Sequence, residues 1–352
     1  MSWPRSIVGR SHEVSGARDF DTNRGLPGEH AELVTRRQVL AVATAVGAGF
    51  VVGCGSAGKD AAGWNFVDDR KQAVRLPARP ERIVAYTTAA AALHQWGVTP
   101  IGVFGDDPRE DPVLAGFPWD QSEVVGSVYG EIDMAMLLSL KAELIVSLWY
   151  PPYSLLFGFK DLAQQKQIGS RVPVAGLNGR LIATKQIGRF SDLARALGSS
   201  TTADAIVRAR AGFVRAAARL SEIARRKPNL RIIAVSGDQS TMYVATLVDF
   251  GDLSYYRRLG VPLVSSETPN SYWDRFGWEH AAKYRADGIL YDARSIFLPL
   301  RQAKEIPAFA ALPAVRANQI ARWQVDPPPS YQAYAEAMND LATTIAGWRR
   351  LR

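Results

Sequence analysis

Beyond residue 63 the chain repeats one pattern. Short apolar runs that fit buried strands alternate with longer stretches of helical periodicity. The runs RIVAY (82–86), PIGVF (100–104), LIVSL (144–148) and PVAGL (173–177) predict four strands, with helices over 88–96 and 132–140 between them. Short β-branched runs separated by helices indicate parallel sheet built from βαβ units. The strands then pause. Residues 181–197 predict a helix that stops at Gly198, and 203–227 predict one long helix, with Ser199, Thr202 and Asp204 offering its N-cap and Pro228 closing it. At 1.5 Å per residue such a helix is roughly 35 Å long, enough to cross a lobe. Afterwards the alternation resumes with RIIAVS (231–236), MYVA (242–245), GILYDA (288–293) and QIARW (319–323).

The expected fold class is therefore α/β, two Rossmann-like lobes joined by one long α-helix. The lobes span 64–198 and 228–352 and the bridging helix 199–227. In open α/β sheets, ligands sit outside the carboxyl ends of the strands, and two such lobes face each other across a cleft. The residues at these ends are Tyr86, Thr87, Phe104, Trp149, Tyr150, Asn178 and Arg180 in the first lobe. In the second they are Tyr243, Tyr272, Trp273, Asp274, Arg275, Arg294 and Trp323. Aromatic and arginine side chains recur among them. Such a mouth suits a large ligand, partly apolar and partly anionic, held by ring contacts and charge-assisted hydrogen bonds.

The N-terminal segment carries a different signal. Residues 39–53 form an apolar run of about 15 residues, short of the roughly 20 that a membrane-crossing helix needs. Gly47, Gly49 and Gly53 miss the G-x-G-x-x-G spacing and follow no βαβ unit, so a dinucleotide turn is excluded. Arg36 and Arg37 before the run resemble a twin-arginine export signal, and VVGC ending at Cys54 resembles a bacterial lipobox. Residues 1–54 thus read as an N-terminal extension with a lipoprotein signal peptide, and 55–63 as a flexible tether. Diacylglycerol plus an amide-linked acyl group on Cys54 would anchor the chain durably to the outer face of the cytoplasmic membrane.

Composition narrows the chemistry. The 352 residues are 47% hydrophobic, ample for two lobes with cores of their own. Cys54 is the only cysteine, so there is no disulfide framework and no thiolate metal cage. Of four histidines only His94 and His280 lie beyond the extension, which leaves a His/Cys metal site poorly supplied. The formal net charge is +8; residues 1–54 hold six basic and five acidic side chains, leaving about +7 for the rest. Seven basic residues lie in 203–227 against Asp204 and Glu222. The apolar positions Ile206, Phe213, Ala217, Leu220 and Ala224 fall on one helical face and the arginines mostly on the other, so the basic face reads as a solvated outer surface. No nucleic-acid reading motif accompanies it. H-E-x-x-H, G-x-S-x-G and Walker A motifs are absent, and Asp106-Asp107 reads as a surface loop, so the chain is expected not to be an enzyme.

At this point the sequence resembles the substrate-binding lipoproteins of ABC importers for iron–siderophore complexes and vitamin B12. PERIVAY, LHQWGVTPIGVFG, VVGSVYGEIDMAMLLSLKAELIVS, the long bridging helix, RIIAVSGDQSTMYVA, WEHAAKYRADGILYDA and FAALPAVRANQIARW carry the resemblance across nearly all of 64–352. It implies a class III periplasmic-binding-protein-like fold and delivery of a ligand rather than catalysis, by a monomer docking onto a permease with its ATPase. No cofactor is implied; Fe(III) would enter only inside a siderophore, whose own oxygens hold it. Docking in this family uses a glutamate on each lobe. The matching positions are Glu279 and, in the first lobe, Ala135, a departure for which Glu131 or Asp133 could substitute. Hydroxamate, catecholate, citrate-type and mycobactin-like chelates stay open, as do cobalamin and haem. A tethered accessory or sensor protein and an exported enzyme are the alternatives from other classes.

Overall fold

The computed structural model describes residues 63–351 except Glu267, Pro269, Asn270, Ser271 and Ser295. Arg36, Arg37 and Cys54 lie outside the described residues. The first lobe opens with a hairpin, β1 (Trp64–Val67) and β2 (Ala73–Leu76), paired antiparallel. Then follow β3 (Ile83–Tyr86), α1 (Thr87–Gln95), β4 (Gly102–Phe104), β5 (Glu123–Gly126), α2 (Met134–Ser139) and β6 (Leu144–Tyr150). β7 (Leu155–Leu156), α3 (Leu162–Gly169), β8 (Val174–Asn178) and α4 (Ala183–Ala196) complete it. The sheet order is β5-β4-β3-β6-β8, all parallel, with β7 antiparallel to the last two residues of β6. These strands are buried on both faces, which is why they read in sequence as continuous apolar runs.

The long helix is α5 (Asp204–Arg225), 22 residues, or about 33 Å. It buries Phe213, Ala216, Leu220 and Ala224. Its start differs from expectation. Ala203 occupies the N-cap and no side chain caps the helix. Ser199 instead donates its hydroxyl to the Trp96 carbonyl at the end of α1, and the Ser200 and Thr202 hydroxyls pair with each other at 3.2 Å. The end of α1 competes for the hydroxyl that the local sequence offers to α5.

The second lobe contains β9 (Ile232–Gly237), β10 (Thr241–Ala245), α6 (Gly251–Arg258), β11 (Trp273–Gly277) and β12 (Gly288–Asp292). Three single turns, α7 (Leu300–Ala303), α8 (Pro307–Ala310) and α9 (Pro313–Arg316), lead to β13 (Ile320–Trp323) and α10 (Tyr331–Ala346). The sheet order is β11-β10-β9-β12-β13. β9, β12 and β13 pair parallel, and β10 is the reversed strand, antiparallel to both β9 and β11. The turn behind this is set by Asp238, whose carboxylate accepts from the Ser240 and Thr241 amides at 2.8 Å each. α10, absent from the predicted elements, is capped by Ser330, which accepts from the Ala333 amide, and it packs along α5.

The lobes share one continuous core. α5 and α10 contribute Phe213, Leu220, Tyr334, Met338 and Ile345, and α1 and α4 contribute Leu93, Trp96, Ile187 and Phe190. Each fully buried side chain of this size stabilises the fold by about 1.5–3 kcal/mol. Direct ties cross between lobes as well. Trp96 donates its indole N–H to the Pro329 carbonyl at 3.2 Å, and Ser330 bonds to Gln95. α4 approaches α6 so closely that a Cβ at Gly251 would meet the Leu181 carbonyl and the Gln186 amide. A helix bridge reinforced by such packing leaves little freedom for hinge motion.

Candidate binding site at the interlobe seam

The carboxyl ends of β3, β4 and β6 bring Tyr86, Phe104 and Tyr150 to one edge of the first lobe. Ring contacts then run without a break into the second lobe. Phe104 stands edge-on to Tyr86 at 5.9 Å, Tyr86 to Phe157 at 5.9 Å, and Phe157 lies 4.1 Å from Tyr150. Tyr150 meets Tyr272 at 5.7 Å across the seam, and Tyr153 stacks on the same ring at 5.8 Å. Tyr272 continues to Phe250 at 5.5 Å, and Phe250 to Trp273 and Trp323 at 5.0 and 5.2 Å. Phe297 closes the series against Trp273 and Tyr243 at 6.2 and 6.0 Å. Edge-to-face pairs at these spacings add about 0.5–1.5 kcal/mol each beyond their buried area. The chain therefore holds a stiff aromatic wall in place of a mobile one.

Two of the three arginines of the seam are already balanced by acids. Arg180, from the turn after β8, forms an ion pair with Asp249 of the second lobe, and its guanidinium lies 5.7 Å from the Tyr272 ring centre. Arg294, two residues past β12, grips Asp292 with Nε–Oδ1 at 3.0 Å and Nη2–Oδ2 at 2.6 Å, and it covers Phe297 at 4.9 Å. Arg275 is exposed and stacks on Tyr243 at 5.0 Å, its neighbour across the β10–β11 ladder. Tyr243 in turn donates to Asp238, whose carboxyl burial would push up but hydrogen bonds hold below its usual range.

A buried acidic pair lies behind the wall. Asp252 accepts from the Trp323 indole N–H at 2.7 Å, and Asp326 accepts from the Tyr150 hydroxyl at 3.1 Å. Burial pushes both carboxyls well above their usual range, and the proximity of Asp326 raises Asp252 further. For Asp326 the Arg294 guanidinium and the Tyr150 hydroxyl oppose that rise. Asp326 also has a φ of +47°, in the left-handed region, immediately before Pro327. A residue preceding proline is disfavoured in helical conformations, so this backbone is strained where it meets the other lobe. Burial and Asp326 likewise raise the Tyr150 and Tyr272 phenols, keeping both neutral. Among the described residues, the Tyr272 hydroxyl and Asp326 Oδ1 are buried without a hydrogen-bond partner. Such groups are costly to leave unsatisfied, and a polar ligand at the seam would relieve the cost.

Most residues expected at the strand ends meet here, though not all by the expected route. Tyr243, Trp273 and Arg275 lie within the antiparallel β10 and β11 and not past parallel strands. Phe104 is 1% exposed and Trp323 is 3% exposed, so both stand behind other rings. Trp149 points to the opposite face of β6 from Tyr150 and packs with Leu155 on the cluster around Leu156. Tyr153, Phe157, Phe250, Phe297, Asp249, Asp252 and Asp326 were not foreseen. They sit in loops and single turns, or are acids whose burial depends on distant chain. Gly158, with a φ of +80°, could have marked the loop beside Phe157, since a Cβ there would lie 2.5 Å from Phe104 and 2.8 Å from Tyr86. Glu279 and Glu131 are both exposed, the former at 72% of its side chain, and Ala135 is exposed on α2. Among the described residues no group of three or more His, Cys, Asp or Glu could hold a metal ion. A small groove beside Arg79, Val98 and Ser199 lies at the opposite, amino-terminal end of β3 and has no aromatic lining.

No family model matches the chain, and no curated protein matches it. Solved structures do. DesE, a ferric-siderophore receptor protein from Streptomyces coelicolor, is 29% identical over 82% of this chain and 100% of its own, with a TM-score of 0.76. The siderophore periplasmic binding protein from the fuscachelin gene cluster of Thermobifida fusca is 18% identical, covering 77% of this chain and 98% of its own, with a TM-score of 0.55. FhuD from S. pseudintermedius is 17% identical, covering 81% and 98%, with a TM-score of 0.58. The latter two likenesses are of fold. DesE and the T. fusca protein are siderophore-binding proteins, as the sequence resemblance implied of its relatives, and the fold is that of the class III periplasmic binding proteins.

The buried pair makes stability depend on pH. A carboxyl with a raised folded pKa binds more protons folded than unfolded, so its contribution is present below the unfolded carboxylate range and lost as pH rises through the folded value. Thermal unfolding is expected to show a Tm that falls from pH 5 towards pH 8. Asp252→Asn, which keeps an acceptor for Trp323, should flatten that fall. Parallel pH profiles for variant and wild type would contradict the assignment.

Proposed function

We propose that this chain captures a ferric siderophore at the interlobe seam and delivers it to an ABC permease and its ATPase. In this reading it works as a monomer outside the cytoplasmic membrane, lipid-anchored through Cys54 after twin-arginine export. The observation that carries the capture step is the ring series from Phe104 to Trp323, which spans both lobes and includes the Tyr272 hydroxyl, unpartnered among the described residues. Iron needs no ligand from the chain, because a hexadentate chelate satisfies it with oxygens of its own. What the protein must supply is a shaped, partly apolar surface with a few polar contacts.

The charge balance favours one kind of chelate. Arg180 and Arg294 are neutralised by Asp249 and Asp292, which leaves Arg275 as the seam arginine without an acid partner among the described residues. A multiply charged catecholate complex would enter with little free positive charge to meet it. A hydroxamate complex of low net charge loses little on desolvation and gains the ring faces.

A tryptophan-fluorescence titration tests this reading. Trp273 and Trp323, 6.1 Å apart in the wall, should be quenched by a ferric tris-hydroxamate at sub-micromolar concentration, ahead of ferric catecholates, cobalamin and haem. Tyr272→Ala should weaken that binding by roughly 10- to 100-fold, the cost of an aromatic contact at the centre of a site. Absence of quenching by every ferric chelate would refute capture. Delivery is tested separately by Glu279→Arg. Reversing this exposed charge should lower uptake by cells and leave chelate affinity intact, because complementary charges set docking orientation and encounter rate.

A further inference from the structure

The outward face of α5 is built unlike a plain solvated helix surface. Val207, Ala211, Val214 and Ala218, spaced i, i+4, i+7 and i+11, form an exposed apolar stripe along it. Val207 and Val214 are 55% and 60% exposed, among the most exposed large apolar side chains of the described residues. Arg210 borders the stripe on one side, and Arg208 and Arg215 on the other; all three are exposed. Among the described residues none pairs with them: Glu222 is held by Arg226, and Asp204 stands at the amino end of the helix. Arg219 leans onto Asn339 and Thr343 of α10, whose own acids Glu336 and Asp340 lie on the exposed side of that helix.

The chain's point of entry lies at the same end of the molecule. The Trp64 indole N–H donates to the Ala196 carbonyl at 2.8 Å, at the close of α4 and a few residues before α5 begins. The nine residues 55–63 that precede it reach at most about 30 Å. A segment held at a membrane through residue 54 would keep Trp64, and the close of α4 it is bonded to, within that distance of the lipid surface.

We propose that the outward face of α5 binds anionic lipid headgroups, with the arginines on the phosphates and the valine stripe seated at the headgroup boundary. Clustered cations draw a protein to an anionic leaflet, and exposed apolar side chains among them insert shallowly. Nucleic acid would use the same charges but has no use for the valines, and α5 carries no base-reading motif. None of the seam residues lies on α5, so lipid binding and ligand binding are separable. The inference extends the proposed function and does not depend on which chelate is carried.

Vesicle flotation of the full chain provides the test, comparing vesicles of phosphatidylglycerol and phosphatidylcholine with pure phosphatidylcholine. Residues 1–62 are common to all variants, so differences between variants report α5. The triple variant R208Q/R210Q/R215Q, in exposed positions that glutamine tolerates in a helix, should lose roughly 100-fold in partition to the anionic vesicles, about fivefold per arginine. Its binding to phosphatidylcholine should not change, and unaltered circular dichroism would show that it is folded. Val207→Ser with Val214→Ser should also weaken anionic binding, by a few-fold, and added salt should weaken the wild type. Equal partition of wild type and triple variant would overturn the proposal. So would wild-type binding to single-stranded RNA that exceeds binding to the anionic vesicles and survives the valine changes.

Discussion

Tyr150 is the residue on which the site depends. It ends β6, the strand that pairs with both β3 and β8, and so inherits the most constrained position in the first sheet. From there its ring lies 4.1 Å from Phe157 and 5.7 Å from Tyr272, while its hydroxyl donates to Asp326. One side chain thereby belongs to the wall of one lobe, the wall of the other, and the loop that leads from β13 into α10. The phenol stays neutral because it is buried beside an acid, so it acts as donor and ring and carries no charge.

The remaining polar groups follow from that burial. A seam closed by aromatic rings has a low dielectric, and each arginine brought to it needs a partner. Asp249 and Asp292 serve Arg180 and Arg294, at the cost of the free positive charge that a strongly anionic ligand would require. For Asp252 and Asp326 burial instead raises both carboxyls towards the protonated form. The strained φ at Asp326, ahead of three prolines, persists because Tyr150, Trp96 and Gln95 fix that loop from the opposite lobe. A seam so determined suits a rigid chelate better than a flexible substrate that must be enclosed.

The two sheets, the bridging helix and the seam that holds the candidate site are legible in the sequence. Doubly buried strands leave unmistakable apolar runs, and 203–227 holds its helical period with proline just beyond. The β9–β10 hairpin is not legible, because MYVA has the same composition as a buried parallel strand and its reversal is decided by Asp238. The cap of α5 is misread because Trp96, a hundred residues earlier, claims Ser199. Of the site, the aromatics and arginines beside strand ends can be found. Phe157, Phe250 and Phe297 cannot, since loops impose no period. The raised acids Asp252 and Asp326 are invisible for a different reason. An aspartate shows its burial only when the distant chain that covers it is in place.

Iron, on the proposed function, is carried at the ring series across the seam. Anomalous diffraction at the iron absorption edge, from crystals grown with a ferric tris-hydroxamate, tests it most directly. The account predicts one iron peak at the seam, between the rings of Tyr150 and Tyr272 on one side and Trp273 on the other, with no protein atom in its coordination sphere. A peak ligated by side chains, or one located away from the seam, would contradict it.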